Sequence, residues 1–473
     1  MKYYVSPNGS DQNPGTVEQP FRTVQQAINR TAGDGRTIFL RGGNYDISQG
    51  TYQTEKGSSG IHIEGGWNDG TADSPLVIRS YPGERAVLDG SNVAPGITGI
   101  FIKDAQNVEI KDIELHSLRS NGILAIKGQN LNFSGNRIHH NQRGGIVVQG
   151  YGGEGQIDTS HRSQNIRLEG NRVYRNYLAN SNPGPGNNWG MGINVENTDN
   201  VLIVNNTVYE NYGEGIGLGF VQNGTVSENT VHDNFSVEVH LYNTTDSTVK
   251  RNLIYNTGNQ EFFRDGRPAN GIEMANELFA TTGKLSQLQL NNNTVRNNVV
   301  VGSGAGFSYG TYAGIHSGAD ENKQGLKNTK IANNTFYDPR IFLHIDEDPN
   351  TENVTITNNI FSRPERFEWL TNIDSTAGLS FSENLWHGGT RFGGDAGATG
   401  VASPDDLRAD PMLANPGGFN TEDYQLLARS PATRVDYDVL AAEAEAVPTP
   451  SSILGWGLGL VMLVRVIRRK RRS

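Results

Sequence analysis

One short pattern, Asn-x-x-apolar-x-x-Asn-x-apolar, recurs along most of this chain, with one asparagine replaced in two of the copies. The copies begin at Asn107, Asn130, Asn165, Asn200, Asn223, Asp246, Asn292, Asn328 and Asn353. The short intervals between these starts resemble one another, and one of the longer intervals, from Asp246 to Asn292, is twice the shortest. This spacing is typical of a solenoid with a minimal coil of about 23 residues and insertions of about a dozen.

Within each copy the apolar residues lie two or three positions apart, as in short strands separated by bends. We therefore predict an all-β right-handed parallel β-helix, with coils stacked about 4.8 Å apart. A second asparagine recurs at one bend, at positions 136, 171, 206, 229, 252, 298, 334 and 359. Its amide can hydrogen-bond the turn backbone and its neighbours in the stack. Unrelated turns in a sandwich or propeller would not repeat in one frame.

The ends of the sequence fit a solenoid whose core must be capped. The segment PFRTVQQAINR, residues 20–30, places Phe21, Val24, Ala27 and Ile28 on one helical face and predicts a capping helix. The predicted divisions are a cap with the first coil (1–60), the β-helix (61–405), a closing segment (406–446) and a tail (447–473).

Charge and composition narrow the range of partners. The net charge is −10, and the tail from Val447 carries six basic residues and no acids, so the chain before it carries −16 by subtraction. An acidic body argues against nucleic-acid binding, and an anionic substrate would need a local basic patch or bridging cations. The chain has no cysteine, which excludes disulfides. We expect a monomer.

Aligning the coils on their Gly-Ile or equivalent pairs predicts which strand residues point outward. The segments GMGINVEN, GEGIGLGF, SVEVHLYN and NGIEMAN begin at Gly190, Gly213, Ser236 and Asn270. In this alignment AGIHSG, from Ala313, supplies the next strand and places His316 after Glu273. The predicted catalytic candidates are His240, Tyr242, Glu273, Glu238 and, on the loop between two coils, Arg264. The predicted substrate-binding candidates are Glu196, Asn194, Gly217, Gly219, Trp189 and Arg267.

The glycines of GEGIGLGF require an explanation, because glycine weakens strand interiors. Ile216 and Leu218 are predicted to point inward. Gly217 and Gly219 then point outward and leave a gap in the face. We interpret this gap as the floor of a groove in which a sugar ring lies against backbone.

Two segments resemble known proteins. KYYVSPNGSDQNPGT from Lys2, the capping helix and TIFLRGGNY resemble the start of bacterial parallel β-helix proteins, including polysaccharide lyases of family nine. Residues 409–432 resemble the segment that closes such helices. The resemblance covers roughly residues 2–436 and implies the fold. It does not extend to that family's lysine base and calcium-binding aspartates, because no lysine occupies the aligned outward positions.

These residues suggest a polysaccharide lyase that cleaves an acidic polysaccharide by β-elimination. His240 or Tyr242 would act as base or acid, and Arg264 or Arg267 would neutralise the substrate carboxylate. The alternatives are a glycoside hydrolase that pairs Glu238 with Glu273, an epimerase, and a non-catalytic exopolysaccharide-binding protein. Ca²⁺ is the one candidate cofactor, through Asp346, Asp348 and Glu352, although a solvated loop is favoured there.

The tail VPTPSSILGWGLGLVMLVRVIRRKRRS resembles a PEP-CTERM sorting signal, with Thr449 in place of the usual acid. It predicts transient membrane association and an extracellular or cell-surface location in a bacterium. The apolar run from Ile453 to Val464 is shorter than the ~20 residues of a stable span. No apolar leader precedes KYYVSP, so we expect the true start upstream of Met1.

Overall fold

A computed structural model describes residues 1–32, 35–50, 52–54, 57–150, 161–181, 190–277, 289–310, 324–363, 371–388 and 401–434. Each coil contributes one strand to each of three sheets, so neighbouring strands come from successive coils. The predicted all-β right-handed parallel β-helix is confirmed. The tail and its proposed sorting signal lie outside the described residues. In the part described, no helix has the length and apolar character needed to cross a membrane.

Sheet 1 contains 13 of the described strands. They are β1 (Lys2–Val5), β2 (Arg36–Leu40), β6 (Leu76–Ser80), β9 (Gln106–Lys111), β12 (Gln129–Ser134), β15 (Ser163–Glu169), β18 (Thr198–Val204), β21 (Gln222–Ser227), β24 (Thr248–Lys250), β27 (Thr294–Arg296), β30 (Lys330–Ala332), β33 (Val354–Thr357) and β36 (Leu379–Ser382). All their pairings are parallel, as β-helix coils require.

Sheet 2 also has 13 described strands, most of them three residues long. They are β3 (Gly43–Asp46), β7 (Ala86–Asp89), β10 (Glu114–His116), β13 (Arg137–His139), β16 (Arg172–Tyr174), β19 (Thr207–Tyr209), β22 (Thr230–His232), β25 (Leu253–Tyr255), β28 (Val299–Val301), β31 (Thr335–Tyr337), β34 (Ile360–Ser362), β37 (Leu385–His387) and β38 (Leu407–Arg408).

Sheet 3 has 12 described strands and carries most of the predicted site. They are β4 (Tyr52–Thr54), β5 (Gly57–Glu64), β8 (Thr98–Lys103), β11 (Ile123–Ile126), β14 (Ile146–Gln149), β17 (Met191–Glu196), β20 (Glu214–Gly219), β23 (Val237–Tyr242), β26 (Asn270–Ala275), β29 (Ala305–Gly310), β32 (Ile341–Ile345) and β35 (Thr371–Ile373). The β4–β5 pair is antiparallel, and the other pairs are parallel.

The predicted capping helix is present as α1 (Val24–Arg30). The Thr23 side chain accepts a hydrogen bond from the Gln26 amide at its N-terminus. The predicted apolar face, Phe21, Val24, Ala27 and Ile28, is buried in the main core. Described 3-10 turns occur at Ile47–Gly50, Leu178–Asn180, Gln260–Phe262, Thr421–Tyr424 and Pro431–Arg434.

The recurrent asparagines form an inner ladder, as predicted. Each side chain donates from Nδ2 to Oδ1 of the next at 2.9–3.1 Å, through Asn136, Asn171, Asn206, Asn229, Asn252, Asn298, Asn334, Asn359 and Asn384. Each is almost fully buried. Because buried amides need partners, this ladder fixes how each coil lies on the next.

The first asparagine of each repeat has a different role. It adopts a left-handed backbone conformation, with φ between 48° and 59° for Asn107, Asn130, Asn165, Asn200, Asn223, Asp246, Asn292, Asn328 and Asn353. Asn and Asp tolerate this conformation better than other non-glycine residues. Several of these side chains form an exposed outer ladder, such as Asn200 Nδ2 to Asn165 Oδ1 at 3.0 Å. Both recurrent asparagines of the pattern are thus explained by geometry.

Replacing one buried ladder residue tests this role. Asn206→Ala removes an amide that donates to Leu168 O and Asn229 and accepts from Asn171. We expect the free energy of unfolding to fall by about 1–3 kcal/mol, the cost of buried polar groups left without partners. Denaturant unfolding measures it.

Asn200→Gly is the matched control, since it removes an outer-ladder amide and keeps the positive φ. Its cost should stay within about 1 kcal/mol, the usual loss for an added glycine. Equal losses in the two variants would contradict the structural role of the inner ladder.

Candidate functional site

The outer surface of sheet 3 carries two rows of outward side chains, in the predicted register. The first outward row runs through Asn194, Gly217, His240 and Glu273, which lie directly opposite one another in successive strands. The second outward row runs through Glu196, Gly219, Tyr242 and Ala275. Ile216 and Leu218 are fully buried in the core, as expected. His240 and Glu273 therefore occupy adjacent coils.

The prediction for the coil after Glu273 was wrong. Ser308 lies opposite Glu273, and His344 lies opposite Ser308. His316, which was predicted to follow Glu273, lies outside the described residues. Two similar segments, AGF at Ala305 and AGI at Ala313, compete for this strand. The spacing between coils elsewhere in the repeat favours the first one.

A pocket of about 380 Å³ lies at one edge of the first row, lined by Ser236, Val237, Arg264, Asp265, Arg267, Pro268, Asn270 and Glu273. Arg264 and Arg267 exchange backbone hydrogen bonds at 2.9 Å around Asp265 and Gly266, whose φ angles are 51° and 71°. Positive φ at both central residues is typical of a tight two-residue hairpin turn. We call this the arginine turn; it presents two exposed guanidinium groups beside Glu273.

Glu273 is held firmly within this pocket. Its Oε2 accepts hydrogen bonds from Asn270 Nδ2 at 2.6 Å and from Ser308 Oγ at 2.8 Å. The residue is 2 % exposed. Arg264 Nη1 is anchored to Ser236 Oγ at 3.2 Å on the opposite wall. Of the predicted group of His240, Tyr242, Glu273 and Arg264, only Glu273 and Arg264 line this pocket, together with Arg267.

His240 lies behind this pocket, between two carboxylates. Its Nδ1 is 3.0 Å from Glu214 Oε2, and its Nε2 is 3.6 Å from Glu277 Oε1. Burial lowers the pKa of His240, but Glu214, Glu277 and Glu273 outweigh burial and raise the pKa to about 10. His240 is therefore an imidazolium at neutral pH, which disfavours the predicted role of base.

Glu214 and Glu277 are functional-site residues that the sequence reasoning missed. Strict alternation would point Glu214 inward with Ile216, but the strand pairing skips Gly215, and Glu214 reaches His240. Glu277 follows the end of β26, where no repeat position applies. Burial raises the pKa of Glu277 to about 7, while the positive charge of His240 opposes the rise. Glu277 thus titrates near neutral pH.

Glu238 does not belong to the outer face, which corrects its prediction as a catalytic residue. Its carboxylate accepts hydrogen bonds from Asn234 N at 3.1 Å and Asn234 Nδ2 at 2.6 Å. It ends a second buried ladder of amides, through Asn141, Asn176, Asn211 and Asn234. The strand pairing skips Glu238, so a bend there turns its side chain inward. Burial raises the pKa of Glu238 well above its usual range.

The second outward row forms a separate cluster. Tyr242 donates its hydroxyl to Glu196 Oε1 at 2.5 Å, and Asn194 Nδ2 donates to the same oxygen at 3.1 Å. Tyr242 is 3 % exposed and does not line the pocket. Glu196 lies three strands from Glu273 along the sheet, or about 14 Å. The predicted residues therefore divide into a pocket group and this buried group.

The predicted open gap over Gly217 and Gly219 is not present. A Cβ on Gly217 would lie 1.9 Å from the Met191 sulfur, and one on Gly219 would lie 2.2 Å from the Tyr242 ring. Side chains from neighbouring strands thus fill the space that the glycines leave. The groove floor predicted at these glycines is a packing contact.

Two further predictions are the substrate-binding role of Trp189 and the Ca²⁺ site. Trp189 lies outside the described residues. Asp346 pairs with His344 at 3.0 Å, Asp348 accepts from Tyr309 at 2.7 Å, and the Glu352 carboxylate is 3.8 Å from Lys327 Nζ. Among the residues described, no group of three or more His, Cys, Asp or Glu side chains is arranged to hold a metal ion. The geometry gives the Ca²⁺ hypothesis no support.

The two outward rows continue into strands that precede the segments aligned from the sequence. In β8, Lys103 occupies the second outward row and pairs with Glu64 at 3.1 Å. A lysine is thus present on this face, in a coil that the sequence alignment did not include. It lies five strands before Tyr242, about 24 Å away.

Replacing Glu214 tests the charge state of His240. Glu214→Gln should lower the pKa of His240 from about 10. Because the folded-state pKa exceeds the unfolded value of about 6.5, the stabilisation from this charge is complete below that pH and is lost as the pH rises towards about 10. Side-chain NMR of the histidine and unfolding across this range measure both effects.

The exposed Glu18→Gln variant carries the same change of charge and serves as the control. An unchanged His240 titration in Glu214→Gln would show that Glu214 does not hold the proton there.

The two glycines give a paired test of packing. Gly219→Ala should cost about 1–3 kcal/mol of unfolding free energy, because its methyl group meets the packed Tyr242 ring. Gly217→Ala should cost less, because Met191 is flexible and only half-buried. Thermal unfolding of the two variants measures which substitution costs more stability. A larger loss for Gly217→Ala would contradict this assignment.

Comparison with known proteins agrees with the fold. A Pel9A-like, right-handed β-helix region matches residues 3–186, and a right-handed β-helix region matches residues 186–336. Pectate lyase PEL9 of Emericella nidulans is 31% identical over 160 residues, 31% of this chain and 35% of that protein. Pectate lyase L of Paenibacillus polymyxa is 32% identical over 149 residues, 31% of this chain and 30% of that protein.

The chain thus spans about a third of the length of these curated relatives. Among solved structures, the Agl-KA catalytic domain superposes with a TM-score of 0.50 at 13% identity, covering 79% of this chain and 63% of that one. At this identity the similarity concerns the fold alone. The chain is a right-handed parallel β-helix whose residues 3–186 match the Pel9A-like, right-handed β-helix region.

Proposed function

We propose that the protein is a polysaccharide lyase that cleaves an acidic polysaccharide by β-elimination in the pocket beside Glu273. One observation carries this proposal: the arginine turn presents Arg264 and Arg267 in the same pocket of about 380 Å³ as the buried Glu273 carboxylate. The local similarity to two pectate lyases supports the same class. A polymer substrate of this kind implies that the protein acts outside the cell.

The arginines fit the first requirement of β-elimination. A uronic acid releases its C5 proton readily only when its carboxylate is neutralised. Guanidinium groups bind carboxylates through two parallel hydrogen bonds and remain charged at all working pH values. Arg264 and Arg267 flank one tight turn, so both can face one substrate carboxylate.

Glu273 is the proton acceptor in this proposal. Its carboxylate lines the pocket, and the bonds from Asn270 and Ser308 to Oε2 fix its orientation. It takes the C5 proton, the electron pair of that C–H bond forms the C4–C5 double bond, and the C4–O bond breaks. Water protonates the leaving oxygen, so that Glu273 acts as the general base. His240, on the adjacent strand, places a positive charge next to Glu273.

The test is an elimination assay with polygalacturonate and alginate. Unsaturated uronate products absorb in the ultraviolet and report the reaction directly. Glu273→Gln should reduce the rate by about 10²–10⁴-fold, the usual contribution of a positioned acid or base. Arg264→Gln and Arg267→Gln should each lower kcat, because they remove charge that stabilises the transition state.

Glu18→Gln, on the exposed N-terminal segment, is the matched control and should retain full activity. If reducing ends appeared without ultraviolet absorbance, the reaction would be hydrolysis and not elimination. Full activity of the Glu273→Gln variant would show that the active site lies elsewhere on the protein. If the wild type bound the polymer without cleaving it, the protein would be a polysaccharide-binding protein and not an enzyme.

A further inference from the structure

A row of aromatic rings runs along the outer face of sheet 2, one ring per coil. The row consists of His116, His139, Tyr174, Tyr209, His232 and Tyr255, which occupy equivalent positions in successive strands. Neighbouring ring centroids are 4.4–5.1 Å apart, and adjacent planes lie within 18° of each other. We call this row the aromatic ribbon.

The chain itself covers one end of this face. Phe419, from the segment after the last coil, stacks on Tyr255 with centroids 4.6 Å apart. Leu413 and Tyr424 of the same segment pack on Leu253, Val299 and Val301. The rings from His116 to His232 lie beyond this cover and are half-exposed.

Arginines flank the half-exposed part of the ribbon. Arg137 and Arg172 lie directly opposite each other in adjacent strands. Like charges in this arrangement destabilise a sheet. The carboxylate nearest Arg137 is Glu114 at 3.9 Å, which Arg85 also contacts. Arg85 and Arg137 thus share the single carboxylate of Glu114.

Arg172 has no carboxylate partner among the described residues. Its guanidinium lies over the rings of Tyr174 and Tyr209, at 5.3 and 5.1 Å from their centroids. Its Nε and Nη2 both donate to the Tyr209 hydroxyl, at 2.9 and 2.5 Å. The side chain is exposed but held in one position. It is therefore preorganised for an anion that the described chain does not supply.

We propose that the ribbon from His116 to His232 is a second binding surface, for an acidic polysaccharide, with a carboxylate of the polymer bound between Arg137 and Arg172. An anion there relieves the repulsion between the two guanidinium groups. Ring edges and hydroxyl groups provide a flat, partly polar track beside them. The surface is separate from the Glu273 pocket, and the proposal does not require that the protein cleave the polymer.

The shape of the surface favours an extended polymer over a folded partner. The half-exposed ribbon is one ring wide and spans four strand intervals, about 19 Å. A stable protein interface needs about 800 Å² per partner, which a single line of ring edges does not offer. His232, at the end of the half-exposed part, lies four residues before Ser236, which lines the pocket. A chain held on the ribbon therefore lies along the same corner of the β-helix as the pocket.

Native electrophoresis in gels containing polygalacturonate tests this surface. The double variant Arg137→Gln/Arg172→Gln should raise the dissociation constant from the retardation series about tenfold relative to the wild type, the factor for one lost charge-assisted contact. Lys2→Gln/Arg30→Gln, at two exposed sites, removes the same number of charges and should bind like the wild type. Added salt should weaken wild-type retardation.

The binding readout separates this proposal from the proposed reaction. The wild type should be retarded by the polymer whether or not it cleaves it, because retardation reports binding and not the reaction. Thermal unfolding and migration in gels with fully esterified pectin, which lacks the carboxylates, check that the double variant is folded. If the folded variant Arg137→Gln/Arg172→Gln were retarded as strongly as Lys2→Gln/Arg30→Gln, the second binding surface would be overturned.

Discussion

The hydrogen bonds of the inner asparagine ladder are the constraint on which the rest of this structure depends. Asn206 donates to Leu168 O and to Asn229 and accepts from Asn171, all in the dry interior. A shift of one coil by one residue would leave all these groups without partners, at a cost of several kcal/mol. The ladder therefore fixes the register of each coil against the next, and this register sets the outward rows.

Once the register is fixed, the differences between coils are confined to outward residues and to insertions. The strands β20 and β23 begin at Glu214 and Val237, one minimal coil apart, whereas β26 begins only at Asn270. The additional residues between β23 and β26 include the arginine turn, which forms one wall of the pocket. The site thus combines a uniform stack, which places Glu273 beside His240, with one loop insertion that brings cations to it.

The sequence was sufficient for the fold because each repeat carries its own structural signal. The two asparagines of each copy, one with positive φ and one in the inner ladder, are local requirements that any coil must meet. The row containing His240 and Glu273 followed from the same alternation. The charge state of His240 did not, because Glu214 and Glu277 come from the two neighbouring coils and only their approach in space raises its pKa.

The errors have the same origin. Glu238 was assigned to the outer face because strict alternation was applied through a position where the pairing is interrupted and the chain bends. Gly217 and Gly219 were taken as open space because a missing side chain says nothing about which neighbour fills it. Side-chain packing between coils depends on all the residues around a position, and the repeat pattern specifies only some of them.

The site also has an electrostatic asymmetry that bears on the proposed substrate. The carboxylate of Glu273 is buried in the pocket, with His240 as a cation on the adjacent strand, whereas Arg264 and Arg267 are exposed. An acidic sugar is repelled by the floor and attracted by the rim. In the proposed reaction, the substrate carboxylate therefore binds the arginine turn, and Glu273 stays available as the proton acceptor.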